Sequence, residues 1–457
     1  MPLHAEQERA FTLVKEGKHV FLTGPAGAGK SYLLRTITEW AMANEKVLAL
    51  TALTGCAAIL LGSSAKTLHS WAGVGLGKEP AATLAANIGR NFFMKRRWLK
   101  THILVIDEIS MMTPEFFEKL DQVARLVRRR VRPFGGLQLV LCGDFYQLPP
   151  VSRGISGEMP GRFAFESPLW ASCGLTTVVL QQIERQKDPA FQKLLNECRV
   201  GVISPESTAA LQARMGLNWK KQVIKPTLLF SKNADVDSIN EKNLQALKKP
   251  LRTFTAATTA GPKTEEGAEP DLPSKEQVDL LTNRLDLDSS YSPVLELCEG
   301  CQVMLLTNLD VEAGLVNGSR GVIVEFTAEG LPVVQFLKGL PKTIEYHSWV
   351  SPEHSGIARR QLPLRVAYAI TIHKSQGATL DCALVDIGDS TFEYGQAYVA
   401  LSRVRDLDSL FVFALDPAKI MAHPAVKTFY DSLLTKVAVA KSTVSALPVD
   451  IEVISLV

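Results

Sequence analysis

Short apolar runs alternate with helical patterns along most of the 457-residue chain, and this alternation predicts parallel α/β domains. In the first block the runs fall at 19–23, 46–51, 102–106 and 137–142. In a second block they fall at 176–180, 227–230, 365–370, 382–387 and 410–413. Between 303 and 349 the pattern changes to short β-rich runs (Val303–Leu306, Gly321–Phe326, Pro332–Phe336, Thr343–Tyr346). These are punctuated by Asn317-Gly318, Glu329-Gly330 and Lys338-Gly339, turn pairs that predict a small antiparallel barrel inserted in the second block. The expected fold is therefore α/β: a first domain over 1–166 and a second built from 167–293 and 363–437. The inserted barrel covers 294–362, and a tail covers 438–457. Residues 73–100, Gly-rich and then basic, form an excursion from the first domain. Residues 252–293, rich in Thr, Ala, Pro, Glu, Asp and Ser, read as a mobile surface segment.

Composition changes this picture little. The chain is 46% hydrophobic and 21% charged, with a net charge of +3, so basicity does not announce a polyanion as partner. A motor that must release each phosphate it grips does not need strong basicity. The seven scattered cysteines suit a reducing compartment, and Cys298-Glu299-Gly300-Cys301 has no second pair nearby to make a zinc site. The first residues resemble neither a signal nor a transit sequence, and no apolar stretch reaches membrane-spanning length. A soluble cytoplasmic protein without a membrane partner is expected.

Candidate chemistry narrows the reading. Gly24-Pro25-Ala26-Gly27-Ala28-Gly29-Lys30-Ser31 follows the strand-like Val20–Leu22 and opens a helix, the context that makes a phosphate-binding loop credible. Glycines let successive backbone N–H groups face phosphate oxygens, and the helix dipole favours the same anion. Lys30 is placed to reach the β- and γ-phosphates, and the Ser31 hydroxyl to hold Mg²⁺. Leu104–Ile106 ends in Asp107 and Glu108. One acid holds the metal through its water shell and the other orients the attacking water, roles that fall to Asp107 and Glu108 in turn. Binding and hydrolysis of a nucleoside triphosphate with Mg²⁺ follow.

Gln147, in Gly143–Val151 after the Leu137–Cys142 run, is a candidate γ-phosphate sensor; the bland alternative is a loop cap. Arg185 and Arg403 are candidates to bring positive charge from the second domain to the transferring phosphoryl, or else are surface ion-pair partners. An arginine in the first role is worth roughly 10³–10⁵ in rate. Thr54 and Gly55, at the start of a helix after the second strand, offer a hydroxyl and free amides to a nucleic-acid phosphate. His69 and the stretch His373-Lys374-Ser375 add polar groups on loops, a mixture that suits single-stranded nucleic acid. Read alone, each is a polar loop. Gly377 closes that last stretch and is a candidate for nucleotide contact. The arginines at 125, 128, 129, 130 and 132 read as a solvated helix face.

Taken together, GPAGAGKS, TALTGCAA, KTLHSWAGVGLG, VIDEISMM, PFGGLQLVLCGDFYQLPPV, ERQKDPAFQKLLNECRVG, VMLLTNL with GLVNGSRGVIVEF, ITIHKSQGATL and QAYVALSRVRDLDSL resemble the Pif-type DNA helicases of superfamily 1B, relatives of RecD. The resemblance covers about residues 3–415. It implies two RecA-like domains with ATP between them, a wedge insertion at about 73–100 and an SH3-like barrel in the second domain. It implies ATP-driven 5′-to-3′ movement on single-stranded DNA and unwinding of duplex or forked DNA by a monomer, with replication or recombination proteins as possible partners. By the same resemblance Gln7 reads adenine, Arg185 and Arg403 reach the γ-phosphate, and Thr54, His69 and residues 373–375 fall where the family touches DNA. The short N-terminus lacks the long extension of eukaryotic members, which points to a bacterial or viral source. Two other functions compete: a nucleic-acid-dependent ATPase switch without processive unwinding, and a helicase module of a larger complex.

Overall fold

The computed structural model describes residues 2–62, 65–75, 77–150, 161–219, 224–231, 233–260, 274–288, 291–310, 313, 315–337, 339–351 and 356–433. The tail at 438–457 and the centre of the 252–293 stretch lie outside the described residues.

The apolar runs of the first block form a six-stranded parallel sheet of β1 (Val20–Thr23), β2 (Leu48–Ala52), β3 (Lys66–Thr67), β4 (Ile103–Asp107), β5 (Gln138–Cys142) and β6 (Thr176–Val179). Their order is β3-β2-β4-β5-β1-β6. The central strands are buried on both faces, which is why they read as continuous apolar runs. On one face pack α1 (Ala5–Lys15), α2 (Lys30–Ala43) and α3 (Gly55–Leu61). The other face carries α4 (Leu68–Ala72), α5 (Ala81–Arg90), α6 (Phe92–Lys100), α7 (Pro114–Arg128) and the short α8 (Pro168–Ser172). The 73–100 excursion is thus a helical pair. It is anchored by fully buried Ile88 and Trp98, whose indole N–H donates to Ala72 O at 2.9 Å.

The structure corrects the first domain boundary. The run at 176–180 was expected in the second domain, but β6 pairs with β1 along Val20–Thr23 and is the edge of the first sheet. Pairing partners far apart in sequence leave no local trace, so the run alone could not say which sheet it joins. The chain then passes through α9 (Pro189–Val200) and α10 (Pro205–Gln212) into a second parallel sheet, ordered β18-β7-β19-β20. Its strands are β7 (Thr227–Phe230), β18 (Ala369–Thr371), β19 (Ala383–Ile387) and β20 (Leu410–Leu415), accompanied by α11 (Asn233–Ala246), α13 (Ile372–Ser375) and α14 (Gln396–Leu401).

Between β7 and β18 the chain forms antiparallel sheets. One joins β11 (Gln302–Leu305), β12 (Arg320–Phe326), β13 (Pro332–Phe336), β14 (Lys342–Thr343) and β17 (Leu364–Val366), with a turn at Gly330 in the left-handed region. The single strand expected at 365–370 is split: β17 belongs to this sheet and β18 to the parallel one, with Ala367-Tyr368 as the handover. The 252–293 stretch also departs from expectation. It contains β8 (Arg252–Thr255), β9 (Ala257–Ala260) and α12 (Lys275–Asp288). β8 pairs with β10 (Val294–Leu297); β9 pairs with β16 (Ile357–Gln361), which also pairs with β15 (His347–Val350). Thr-rich segments lack bulk, yet β-branched side chains suit a half-exposed strand with a partner from afar. The antiparallel region therefore draws on residues before 294 and after 362.

The last described segment, 424–433, is helical and returns to the first unit. Val426 and Tyr430 are buried in the core beneath β1 and β5, and Phe429 stacks on Phe165 at 4.2 Å. Among the described residues no helix is long and apolar enough to cross a membrane.

Candidate nucleotide site and nucleic-acid face

The phosphate loop links β1 to α2 and holds Gly24, Gly27 and Gly29 at φ of 148°, 82° and 79°. A Cβ on Gly24 would lie 2.4 Å from Leu180 O, one on Gly27 2.6 Å from Arg185 Cβ, and one on Gly29 2.6 Å from the Gln7 amide nitrogen. Glycine is therefore required for conformation and for space, and the cradle fits a polyphosphate. Lys30 Nζ donates to Gly24 O (2.7 Å) and Pro25 O (2.9 Å), so its charge sits on the loop rather than in the core. Ser31 lies exposed in the first turn of α2, while Pro25, Ala26 and Ala28 are buried. Gln7 is buried in the first turn of α1; its Oε1 accepts from His4 N at 3.0 Å and its Nε2 donates to Gly29 O at 3.4 Å.

At the end of β4, Asp107 Oδ1 accepts the Glu108 N–H at 2.9 Å, and Glu108 takes a left-handed backbone conformation (φ 56°). Both acids are buried. Burial pushes the Asp107 carboxyl up against the opposing pull of the Cys142 thiol, the Glu108 N–H and Lys30. Burial and the Asp107 charge together push Glu108 up to about 7, while Lys30, Gln376 and Arg403 pull the other way. An acid pair of this kind, beside a lysine on a phosphate loop, suits one carboxylate held by a cation and one free to take a proton. Asp107 and Ser31 are the residues that would hold Mg²⁺.

The second unit supplies positive charge. Arg403 follows α14 and is fully buried; Nε donates to Val399 O (2.7 Å), Nη2 to Ser402 Oγ (2.7 Å), and Nη1 to Ser375 O (3.1 Å) and Ala378 O (3.3 Å). Burial and neighbouring Arg185 push its guanidinium down to about 9 against the field of Glu108, so it stays charged at neutral pH. Arg185 is not on the second sheet. It lies just after β6, its N–H donating to Gly27 O (3.2 Å) and its Nη1 to Ser402 O (3.1 Å). Lys30, Glu108, Arg185 and Arg403 thus form one electrostatic neighbourhood. Gln147 is buried in the loop after β5, and the left-handed Gly395 just before α14 packs so closely that a Cβ there would meet Gln147 O at 2.5 Å.

Of the candidates for nucleic-acid contact, Thr54 and Gly55 fall at the start of α3 and residues 373–375 on the facing α13, while His69 lies on α4. Thr54 Oγ1 accepts from Ala57 N (3.2 Å) at the start of α3, and Leu53 N donates to Asp107 O (3.3 Å), so this turn leans on the acid-bearing strand. Gly55 opens α3 and Cys56 follows it, within the electrostatic range of Arg365 and Lys374 from the second unit. Lys374 is exposed and His373 half-buried, whereas Ser375 is fully buried and its hydroxyl donates to Ile372 O (2.7 Å). His69, in α4, stacks on Phe116 of α7 with ring centroids 4.5 Å apart.

Several residues at the site escaped the motif reading. Gln376 Nε2 donates to Glu108 Oε2 at 2.9 Å, beside the candidate Gly377, where a Cβ would lie 3.7 Å from Oε1. Tyr398 OH accepts the Ala26 N–H of the phosphate loop at 2.8 Å. Asp144 makes a bidentate pair with Arg199 of α9 (2.8 and 2.9 Å). Burial works against the Arg199 charge, but Asp144 outweighs it and holds the guanidinium above its ordinary value. Tyr430 OH accepts from Phe145 N (3.2 Å), donates to Asp144 Oδ1 (3.3 Å) and shares a 2.5 Å bond with Thr23 Oγ1. The Tyr146 and Tyr430 rings stack at 4.9 Å, and Arg199 lies over both. Gln376 and Arg199 stand inside strings already singled out, so position beside a candidate was their available signal; Tyr430 had none.

A phosphate loop, an acid pair, an arginine beside the loop and a second arginine from another parallel α/β unit define a P-loop motor ATPase. The comparisons place it more closely. Residues 2–208 match the PIF1-like helicase family, and residues 281–326 match the DNA helicase Pif1 2B domain. The chain is 42% identical over 435 residues to the human ATP-dependent DNA helicase PIF1, covering 94% of this chain and 64% of that protein. Its fold is similar to crystal structures of Pif1 from Candida albicans (34% identity, TM-score 0.76, 95% of this chain and 100% of that one) and of Pif1 from Bacteroides in complex with ADP-AlF3 and ssDNA (26%, 0.65, 95% and 98%). The chain belongs to the PIF1-like helicase family.

Proposed function

We propose that this chain is an ATP-dependent DNA helicase that moves 5′ to 3′ along single-stranded DNA and unwinds duplex DNA. The observation that carries the reading is the meeting of both α/β units at one phosphate loop. Lys30, Asp107 and Glu108 come from the first, Arg403 and Tyr398 from the second, and the facing elements α3 and α13 lie directly beyond. Nucleotide binding there would draw the two units together, and hydrolysis would release them. α3 and α13 would then grip the strand by turns. ATP would supply the free energy, with Mg²⁺ neutralising phosphate charge. The residues of this chain would orient it: Gln7 at the base, Gly24–Ser31 and Gly377 around the phosphates, Glu108 on the water, Gln147, Arg185 and Arg403 on the γ-phosphate.

Likeness to the Bacteroides protein crystallised with a nucleotide analogue and ssDNA supports both ligands. The helical pair α5–α6 is read as the wedge, and the sheet of β11–β14 and β17 as the SH3-like barrel that guides the strand. Melting costs on average about 1.4 kcal/mol per base-pair step, within the reach of one hydrolysis event. The test is ATP-driven unwinding of matched 5′-tailed, 3′-tailed and blunt duplexes. Displacement confined to the 5′-tailed substrate is expected. DNA-stimulated ATPase without displacement would support the switch instead, and displacement from the 3′ tail would reverse the polarity.

A further inference from the structure

The turn that follows α13 is only a few residues long, yet it touches three parts of the site. Lys374, on α13, is exposed within the field of Arg365 and of Cys56 on α3. Arg403 holds the turn from behind through Ser375 O and Ala378 O, one on each side of Gln376-Gly377. Gln376 itself reaches across to the first unit and donates to Glu108 Oε2.

We propose that Gln376 is a positioning residue that restrains Glu108 until single-stranded DNA engages α13, and so makes ATP hydrolysis depend on DNA. The inference rests on the helicase reading above and adds a route by which the strand controls chemistry.

The geometry has the marks of a poised contact. Glu108 is a non-glycine residue at φ 56°, a conformation that costs free energy and clusters at switch regions. The other half of the Gln376 amide, Oε1, is buried without a hydrogen-bond partner among the described residues. A buried unpaired acceptor is unfavourable, so the amide is only half satisfied where it stands. A carboxylate oxygen occupied by an amide N–H is also a poorer acceptor for the proton of an attacking water. Movement of α13 by about one hydrogen-bond length would break the contact, because Gln376 is its immediate C-terminal neighbour and Gly377 (φ 78°) can absorb the change. Arg403 makes the same movement sensitive to the γ-phosphate. Drawing its guanidinium toward that phosphate would withdraw support from Ser375 and Ala378.

The test is steady-state ATPase of the full chain with and without saturating oligo-dT, for wild type, Gln376→Leu and Gln376→Asn. Loss of a hydrogen bond to a charged group is expected to raise the DNA-free kcat about tenfold. The DNA-saturated kcat and the KM for ATP stay near wild type, so the stimulation ratio collapses. A merely structural role would lower both rates together. Should Gln376→Leu melt well below wild type, Gln376→Asn carries the test, since it keeps polarity but is one methylene too short to reach Glu108. Undiminished stimulation in the folded variants, or an equal fall in both rates, overturns the proposal. A wild-type chain indifferent to DNA would instead overturn the helicase reading on which it rests.

Discussion

The two halves of the nucleotide site are built in opposite ways. In the first unit, chemistry is carried by contiguous strings at the ends of adjacent strands: the loop after β1, the acids ending β4, the Gln147 loop after β5. Hydrogen bonds there are short-range, such as Lys30 to Gly24 and Pro25 or Glu108 N to Asp107. In the second unit, each contributor arrives alone and is fixed by partners hundreds of residues away: Tyr398 on Ala26 and Gln376 on Glu108, with Arg185 reaching back from the first unit to Ser402. The first half is a preformed anion cradle. The second is a set of contacts that exist only while the units are docked, which is what a motor needs if closure is to carry work.

Breaking the preformed half should have the largest effect. Lys30→Ala is expected to lower ATP turnover by at least about 10³-fold, as for loss of a phosphoryl-stabilising charge. The melting temperature should barely move, because among the described residues Lys30 donates to the loop carbonyls of Gly24 and Pro25. Turnover and differential scanning calorimetry on the same preparation check both parts. A large loss of stability would show that the lysine serves the fold.

The docked half should respond differently. Arg403→Ala is expected to lower DNA-stimulated turnover by about 10²–10⁴-fold, and also to destabilise by about 2–4 kcal/mol. Four hydrogen bonds to buried acceptors are lost and the 375–378 turn loses its support. Arg403→Lys should not rescue it, since an ammonium cannot span Val399, Ser402 and Ser375 at once. Arg185→Ala is expected to cut turnover comparably with a smaller stability loss, because among the described residues a single side-chain bond, to Ser402 O, is broken. If Arg403→Ala lost activity without stability, the bonds that tie Arg403 to Val399, Ser402 and the 375–378 turn would be incidental to the fold.

The same contrast decides what could be read from the chain. The phosphate loop and acid pair were legible because motif and strand-end context coincide within a few residues. The strand-like character of 176–180 and 365–370 was legible too, but not their allegiance. β6 joins the first sheet through β1, and the second run is divided between two sheets at Ala367-Tyr368. In 252–293, low apolar content hid two strands whose partners, β10 and β16, supply the burial they lack. Arginine candidates at 185 and 403 were visible as residues, yet only the fold gives them a common neighbour in Glu108. Tyr430 sits in a stretch with no motif, and its hydroxyl meets Thr23, Phe145 and Asp144 only after the chain has folded back over the first sheet.

That tie offers a finer probe. Tyr430→Phe keeps the ring stack on Tyr146 but removes one donor and one twice-used acceptor, at an expected cost of about 1–3 kcal/mol. Thr23→Val should cost somewhat less. A double-mutant cycle by urea denaturation is expected to give a coupling of about 0.5–3 kcal/mol, since the two hydroxyls share one bond. Additive losses would mean that the C-terminal helix packs on the first unit without being tied to the base of the phosphate loop.

The smallest effect concerns the outer face of the docked half. Of His373, Lys374 and Ser375, Lys374 is the one exposed, while the serine hydroxyl is turned inward onto Ile372 O. Burial and the neighbouring Arg365 charge both push the Lys374 ammonium down from its ordinary value, so an anion near it would be welcome. A phosphate bridging Lys374 and Arg365 would relieve that repulsion. Each phosphate neutralised on a single strand contributes a slope of about −0.7 to log K against log salt. Lys374→Ala should therefore flatten the slope by about that amount and weaken oligo-dT binding only a few-fold at moderate salt, measured by fluorescence anisotropy across a salt series without nucleotide. Base stacking, worth roughly 1–3 kcal/mol per base, does not depend on this charge and keeps the strand bound. Turnover should survive while strand displacement per ATP falls, because the grip that closes with the docked half is the one weakened. A salt slope identical to wild type would take Lys374 off the strand's path and leave α3 to hold it alone.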